Sequence, residues 1–188
     1  MAEELDRSPS IKGPLHGLPV CVSENIDIQG MESTLGYSKR LKKVAKKSAS
    51  ITKALTDLGA VPFCKSNVPQ TLFTMGSDNP IFGRTRNPLN TELTTGGSLS
   101  GAACLVAAGA LKIAPGIDLG GCARFAAHNT GIAGFKATEG RMSLKGVVPP
   151  IPGLVGCKFF QLFPKIDGIY GNWFLLSSNS GAQRRICG

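Results

Sequence analysis

The sequence predicts an α/β fold, and three observations carry that prediction. A strand–helix–strand unit runs from Gly17 to Lys65. A helix of small residues followed by a strand spans Ser100 to Ile117, and a further helix fits Ala123 to His128. Taken in order, Gly17-Leu-Pro-Val-Cys-Val-Ser23 reads as a short buried strand entered through the turn-rich Lys12-Gly-Pro-Leu-His-Gly17. Ser48 to Leu58 reads as a helix with Ser48 as N-cap and Gly59 as its stop. Its apolar positions Ile51, Ala54, Leu55 and Leu58 recur at helical spacing. Ala60 to Lys65 is the next strand, and the intervening helix makes the pairing parallel. Ser66 to Gly97, dense in Asn, Pro and Gly, is expected to be mostly loop. Ser100 to Ala110 is small and apolar enough for a helix packed closely on a sheet, and Ile113 to Ile117 is a strand that ends at Asp118-Leu-Gly-Gly121. After Gly156 no clean period of either kind is visible, and no secure structure is assigned.

Bulk properties exclude several classes of function. A chain of 188 residues, 42% apolar and 18% charged, suits one globular domain with a real core. The opening MAEELDRSPS is polar and acidic, unlike a secretory signal, and the longest apolar run falls far short of the roughly 20 residues of a spanning helix. An intracellular location is expected, cytoplasmic or peripherally membrane-associated, with the six scattered cysteines as reduced thiols. With no CxxC pair and only His16 and His128, neither a metal site nor a cofactor is expected. Much of the net charge of +9 sits in Lys39, Arg40, Lys42, Lys43, Lys46 and Lys47. Such a run is ordinarily a solvated face, and a weak attraction to an anionic membrane is the next reading. Nucleic-acid binding is not expected, because no aromatic residues interleave with the basic ones.

Two glycine turns carry the chemistry: Gly96-Gly-Ser-Leu-Ser-Gly101 and Asp118-Leu-Gly-Gly-Cys-Ala-Arg124. Each precedes an expected helix, where free backbone N–H groups and the helix dipole favour an anion such as a phosphate or the oxyanion of an acyl-transfer intermediate. Neither has the Lys-Ser/Thr of a phosphate-binding loop.

Thr94-Thr-Gly-Gly-Ser-Leu-Ser-Gly-Ala, Gly116-Ile-Asp-Leu-Gly-Gly-Cys-Ala-Arg and Gly131-Ile-Ala-Gly-Phe-Lys-Ala-Thr together resemble the amidase signature family. Upstream, Gly17 to Asn25, Gly30-Met-Glu-Ser-Thr-Leu-Gly36, Gly59-Ala-Val-Pro-Phe63 and Asn67-Val-Pro-Gln70 follow in the same order. Phe73 through Asn79-Pro-Ile-Phe-Gly-Arg-Thr-Arg-Asn-Pro88 looks most like the fatty-acid amide hydrolase branch. The resemblance covers about 13–155. It implies a polar extension at 1–12, a partial amidase domain of mixed twisted sheet flanked by helices, and a divergent tail at 156–188. It also implies an incomplete fold, because members of the family are longer.

The resemblance further implies a Ser–cis-Ser–Lys triad, in which a neutral lysine takes a proton through the cis-serine and so activates the nucleophile. The cis-serine falls on Ser98, the nucleophile on Cys122 and the lysine on Ser23. The oxyanion hole would be the backbone N–H groups of Leu119, Gly120, Gly121 and Cys122. Leu72 and Phe73 match positions lining the acyl pocket, with ordinary core packing as the competing reading. Ser23 cannot accept a proton at neutral pH, and loss of a general base typically costs on the order of 10² to 10⁴ in rate. Leu99, Ile117, Ala126 and Ala137 also depart from the family, each placing an apolar residue where the family has a polar or structural one.

Three expectations follow. The chain hydrolyses fatty-acid amides poorly through Cys122, or binds acyl lipid without turnover, or is a poorly folding product of a decayed or aberrantly spliced gene.

Overall fold

A computed structural model describes residues 2–138, 140–151 and 158–163. The expected strand–helix–strand unit is present. Strand β1 (Pro19–Ser23) leads through helix α2 (Ser50–Asp57) to β2 (Val61–Ser66), which pairs with β1 in parallel; a short helix α1 (Ala2–Asp6) precedes them. Val20 and Val22 project to one face of β1 and join Ile51 and Leu55 of α2 in a buried cluster with Ile113 and Ile117. Cys21, pointing the other way, joins a second cluster of Leu99, Ala102, Ala103, Val106, Ala123, Ala126 and Ala127. Strand β1 is thus buried on both faces, which is why it reads as a nearly continuous apolar run.

Helix α2 starts differently from the expectation. Its N-cap is Ala49, not Ser48, and no side chain caps it. Ala49 is fully buried, and a Cβ added at Gly146 would lie 2.5 Å from its Cα, so the entry to the helix is too crowded for a hydroxyl cap. The carbonyl of Lys145 accepts the Ser50 N–H at 3.0 Å instead, while Ser48 Oγ accepts the Gln29 N–H. Gly59 does end the helix, at φ +94°, as expected.

The segment 66–97 is more structured than its composition suggests. It contains two antiparallel hairpins, β3 (Asp78–Asn79) with β4 (Gly83–Arg84) and β5 (Arg86–Asn87) with β6 (Asn90–Thr94). Asn79 and Asn87 hold the turns, each Oδ1 accepting backbone N–H groups two or three residues on.

Helix α3 (Ser100–Ala107), strand β7 (Ala114–Asp118), helix α4 (Cys122–Thr130) and strand β8 (Ala133–Lys136) follow. The tail expected to lack secure structure supplies β9 (Lys158–Phe163), which lies between β7 and β8 and pairs antiparallel with both. Its place in a sheet is set by those two partners, since its own sequence shows no period. The fold is therefore the expected α/β type with mixed pairing. Among the described residues no helix is long and apolar enough to cross a membrane.

Candidate active site

The turn between β7 and α4 is organised by one carboxylate. Asp118 is fully buried and accepts hydrogen bonds from the Gly121 and Ala123 N–H groups and from the Arg124 guanidinium, whose Nε lies 3.2 Å away. Burial alone would disfavour its charge. The Arg124 guanidinium and the two backbone N–H groups outweigh that and hold the carboxyl below its ordinary range. Gly121 takes the N-cap position at φ +119°, a left-handed geometry that other residues rarely adopt. Cys122 is therefore delivered as the first residue of α4, at the positive end of the helix.

Leu119, Gly120 and Cys122 form one wall of a cleft of about 320 Å³, and Leu72, Phe73, Thr74 and Met75 form the other. The structure thus brings the matched nucleophile and the two matched acyl-pocket positions to one space of the size that small-molecule sites occupy. Leu72 also packs in the core, buried with Leu35 and Val68. Phe73 is 65% exposed and stands at the mouth. Gly121 does not line the cleft, and its N–H is already committed to Asp118. Leu119, Gly120 and Cys122 are the turn residues at the cleft.

The remaining matched residues, Ser98 and Ser23, are buried. The Gly97–Ser98 peptide bond is cis. Gly97 admits no larger residue, because an added Cβ would meet the Gly76 carbonyl oxygen at 2.1 Å. Ser98 is buried, and its hydroxyl has no hydrogen-bond partner among the described residues; neither Cys122 nor Ser23 answers it. Ser23 donates its own hydroxyl proton to Asn25 Oδ1 at 2.9 Å, and Asn25 is in turn tied to Val148. Ser66, the cross-strand partner of Ser23, is a second buried hydroxyl without a partner among the described residues.

One amine does lie buried nearby, and sequence reading missed it. Lys65 Nζ sits 3.1 Å from Glu24 Oε2 and donates to Ser33 Oγ and the Glu32 carbonyl at 2.7 and 2.6 Å. Burial pushes its amine down, opposed by the Glu24 carboxylate. Because side chains alternate along β2, Lys65 leaves the face opposite to Cys64 and Ser66. It clamps the loop at Glu32–Thr34, whose Thr34 N–H also reaches Glu24, and does not stand where Ser23 stands. Local sequence offers little signal for this role, since the partners lie 32 to 41 residues away in the chain.

A family model described as Amidase matches residues 1–157. The chain belongs to the amidase family. It is 39% identical over 143 residues to "Amidase 2" of Gibberella moniliformis, covering 76% of this chain and 28% of that protein. It is 40% identical over 143 residues to the "Vitamin D3 hydroxylase-associated protein" of Gallus gallus, covering 76% and 31%. A fatty acid amide hydrolase of known structure superposes with a TM-score of 0.82 at 32% identity, covering 88% of this chain and 29% of that one. The chain thus spans about 28–31% of the length of these curated relatives.

Leu99, Ile117 and Ala126 lie in the core, whereas Ala137 is partly exposed. Ile117 is buried in the cluster around β1 and α2, and Ala126 in the cluster around α3 and α4. Leu99 is fully buried against Gly116, where an added Cβ would lie 2.4 Å from both Leu99 methyl groups. The turn after Ser98 accommodates a leucine because β7 has a glycine opposite it.

Proposed function

We propose that this chain is an amide-hydrolase homologue that binds the acyl part of a fatty-acid amide in the cleft at Cys122 and turns it over slowly. The observation that carries the reading is that cleft, which places a nucleophilic thiol beside Leu72, Phe73 and Met75. An acyl carbonyl seated there would be attacked by Cys122 Sγ, with the Gly120 and Cys122 N–H groups turned to the developing oxyanion. Slow turnover follows from the two matched serines: Ser23 offers no basic atom at neutral pH, and Ser98 has no hydrogen-bond partner among the described residues. The comparison with a fatty acid amide hydrolase of known structure supports the acyl-lipid side of this reading. So does the loop before α2, where Lys39, Lys42, Lys43, Lys46 and Lys47 are exposed together with Leu41 and Val44. Basic and apolar groups side by side suit the surface of an anionic bilayer, from which a lipid amide would come.

The test is hydrolysis of a fluorogenic long-chain acyl amide presented in anionic vesicles, by the unaltered chain and by Cys122→Ala, with thermal melts in parallel. We expect slow release that is abolished in Cys122→Ala, and a raised melting temperature with the long-chain amide but not a short one. A melting shift without release supports the binding half alone. Equal rates in the two proteins and no shift overturn the proposal.

A further inference from the structure

Away from the cleft, two thiols stand opposite each other. Cys21 and Cys64 are paired residues in the parallel register of β1 and β2. Neighbouring strands run about 4.8 Å apart, inside the roughly 4.4–6.8 Å between Cα atoms that a disulfide spans. Both side chains turn to the same face: Cys21 is a fully buried member of the cluster under α3, and Cys64 packs on that cluster from its partly exposed edge. Strand β2 has β1 as its paired neighbour and, among the described residues, no strand on its other side, so Cys64 is the thiol of the two that solvent reaches. The pair sits two residues from Ser23 and Ser66, on the face that carries the buried serines.

We propose that Cys21 and Cys64 form a peroxide-sensitive thiol pair, with Cys64 as the attacking thiol and Cys21 as the resolving one. The two thiols are unequal in the required sense. Hydrogen-bond donation from Cys21, outweighing partial burial, lowers Cys64 to about 7, while the neighbouring Cys64 and burial push Cys21 well above the ordinary thiol range. Cys104, on α3, is by contrast raised by burial. Hydrogen peroxide is the oxidant. The Cys64 thiolate attacks one peroxide oxygen, an S–O bond forms, the O–O bond breaks, and the departing hydroxide takes a proton to become water. Cys64 is then a sulfenic acid. Cys21 sulfur attacks Cys64 sulfur, the S–S bond forms as the S–O bond breaks, and the second hydroxide leaves with the Cys21 proton as water. Two thiols and one peroxide give one disulfide and two waters. The product staples β1 to β2 beside the serines and closes the chain segment that contains the basic loop and α2.

The experiment treats the full chain with equimolar hydrogen peroxide, blocks remaining thiols, and maps linked peptides by mass spectrometry without reduction. We expect a Cys21–Cys64 peptide lighter by two hydrogens, reversed by dithiothreitol, and a higher melting temperature for the oxidised chain. Cys21→Ala should instead accumulate a dimedone-reactive sulfenic acid at Cys64. In the unaltered chain, alkylation by iodoacetamide should reach half its maximal rate at Cys64 near pH 7, ahead of Cys104. This measurement stands even where Cys21→Ala fails to fold. Cys64 linked to Cys157 or Cys187, peroxide consumed at Cys122 or Cys104 first, or Cys64 alkylated no faster than Cys104 would each overturn the proposal. Hydrolysis at Cys122 is tested separately by its own variant.

Discussion

Two regions a short distance apart in this chain are furnished very differently. Around Asp118 every polar contact is answered: two backbone N–H groups and a guanidinium converge on one buried carboxylate, and the turn that carries Cys122 is held by them. Around Ser23 the polar atoms are buried but poorly answered: Ser23 turns to Asn25, while Ser66 and Ser98 have no partner among the described residues. Buried hydroxyls left unpaired cost folding free energy, so a site in that state is not shaped by stability. The contrast separates what positions a nucleophile from what moves its proton. Positioning rests on backbone and one carboxylate; proton transfer would rest on side chains, and of the buried hydroxyls here Ser66 and Ser98 have no partner among the described residues.

The sharpest way to break that contrast is to place a base at Ser23. Ser23→Lys combined with Cys122→Ser should hydrolyse a long-chain acyl amide on the order of 10² to 10⁴ faster than Cys122→Ser alone. A lysine reaching from β1 toward Ser98 would give its orphaned hydroxyl an acceptor. A matched rate in the two proteins, with both melting cooperatively, would mean that the Ser23 position does not feed the turn at Cys122.

The complementary change removes the carboxylate that positions the turn. Asp118→Asn keeps the shape and takes away the charge that Arg124 and two N–H groups face, at an expected cost of about 2–4 kcal/mol in denaturant unfolding. The pH dependence has a definite sign. Because the folded carboxyl titrates below its ordinary value, its contribution is fully present above the unfolded carboxylate range and is lost as pH falls through the lower folded value. The unaltered chain should therefore lose stability in that acid window while Asp118→Asn changes less, and parallel losses would show that other carboxyls dominate.

How far all this could be read from the chain itself depends on the range of the interactions. The parallel unit β1–α2–β2 was legible because its spacing, its stop at Gly59 and its crossover are local. The N-cap was misplaced because Ala49 is fixed by Gly146 and Lys145, nearly a hundred residues on. The hairpins at 78–94 escaped because two-residue strands carry no period, and β9 because two distant strands define it. At the site, order in the sequence supplied candidates, of which Leu72, Phe73, Leu119, Gly120 and Cys122 share one cleft. The Lys65–Glu24 clamp, the Ser23–Asn25 bond and the anchoring role of Asp118 were not legible there, since each appears once side chains meet in space.

The smallest expected effect probes how the turn after Ser98 came to hold a leucine. Gly116→Ala places a methyl group 2.4 Å from both Leu99 methyl groups, and Leu99 is fully buried. Overpacking of this kind costs typically about 1–3 kcal/mol. Leu99→Ala removes the obstacle, so Gly116→Ala should cost less in that background than in the unaltered chain, with a coupling of roughly 0.5–3 kcal/mol in the double-mutant cycle. Equal costs in both backgrounds would mean that Gly116 is required by the backbone of β7 rather than by Leu99. A clear coupling would instead make the leucine and the glycine one packing unit, in which the leucine after Ser98 is tolerated because the strand beneath it has no side chain there.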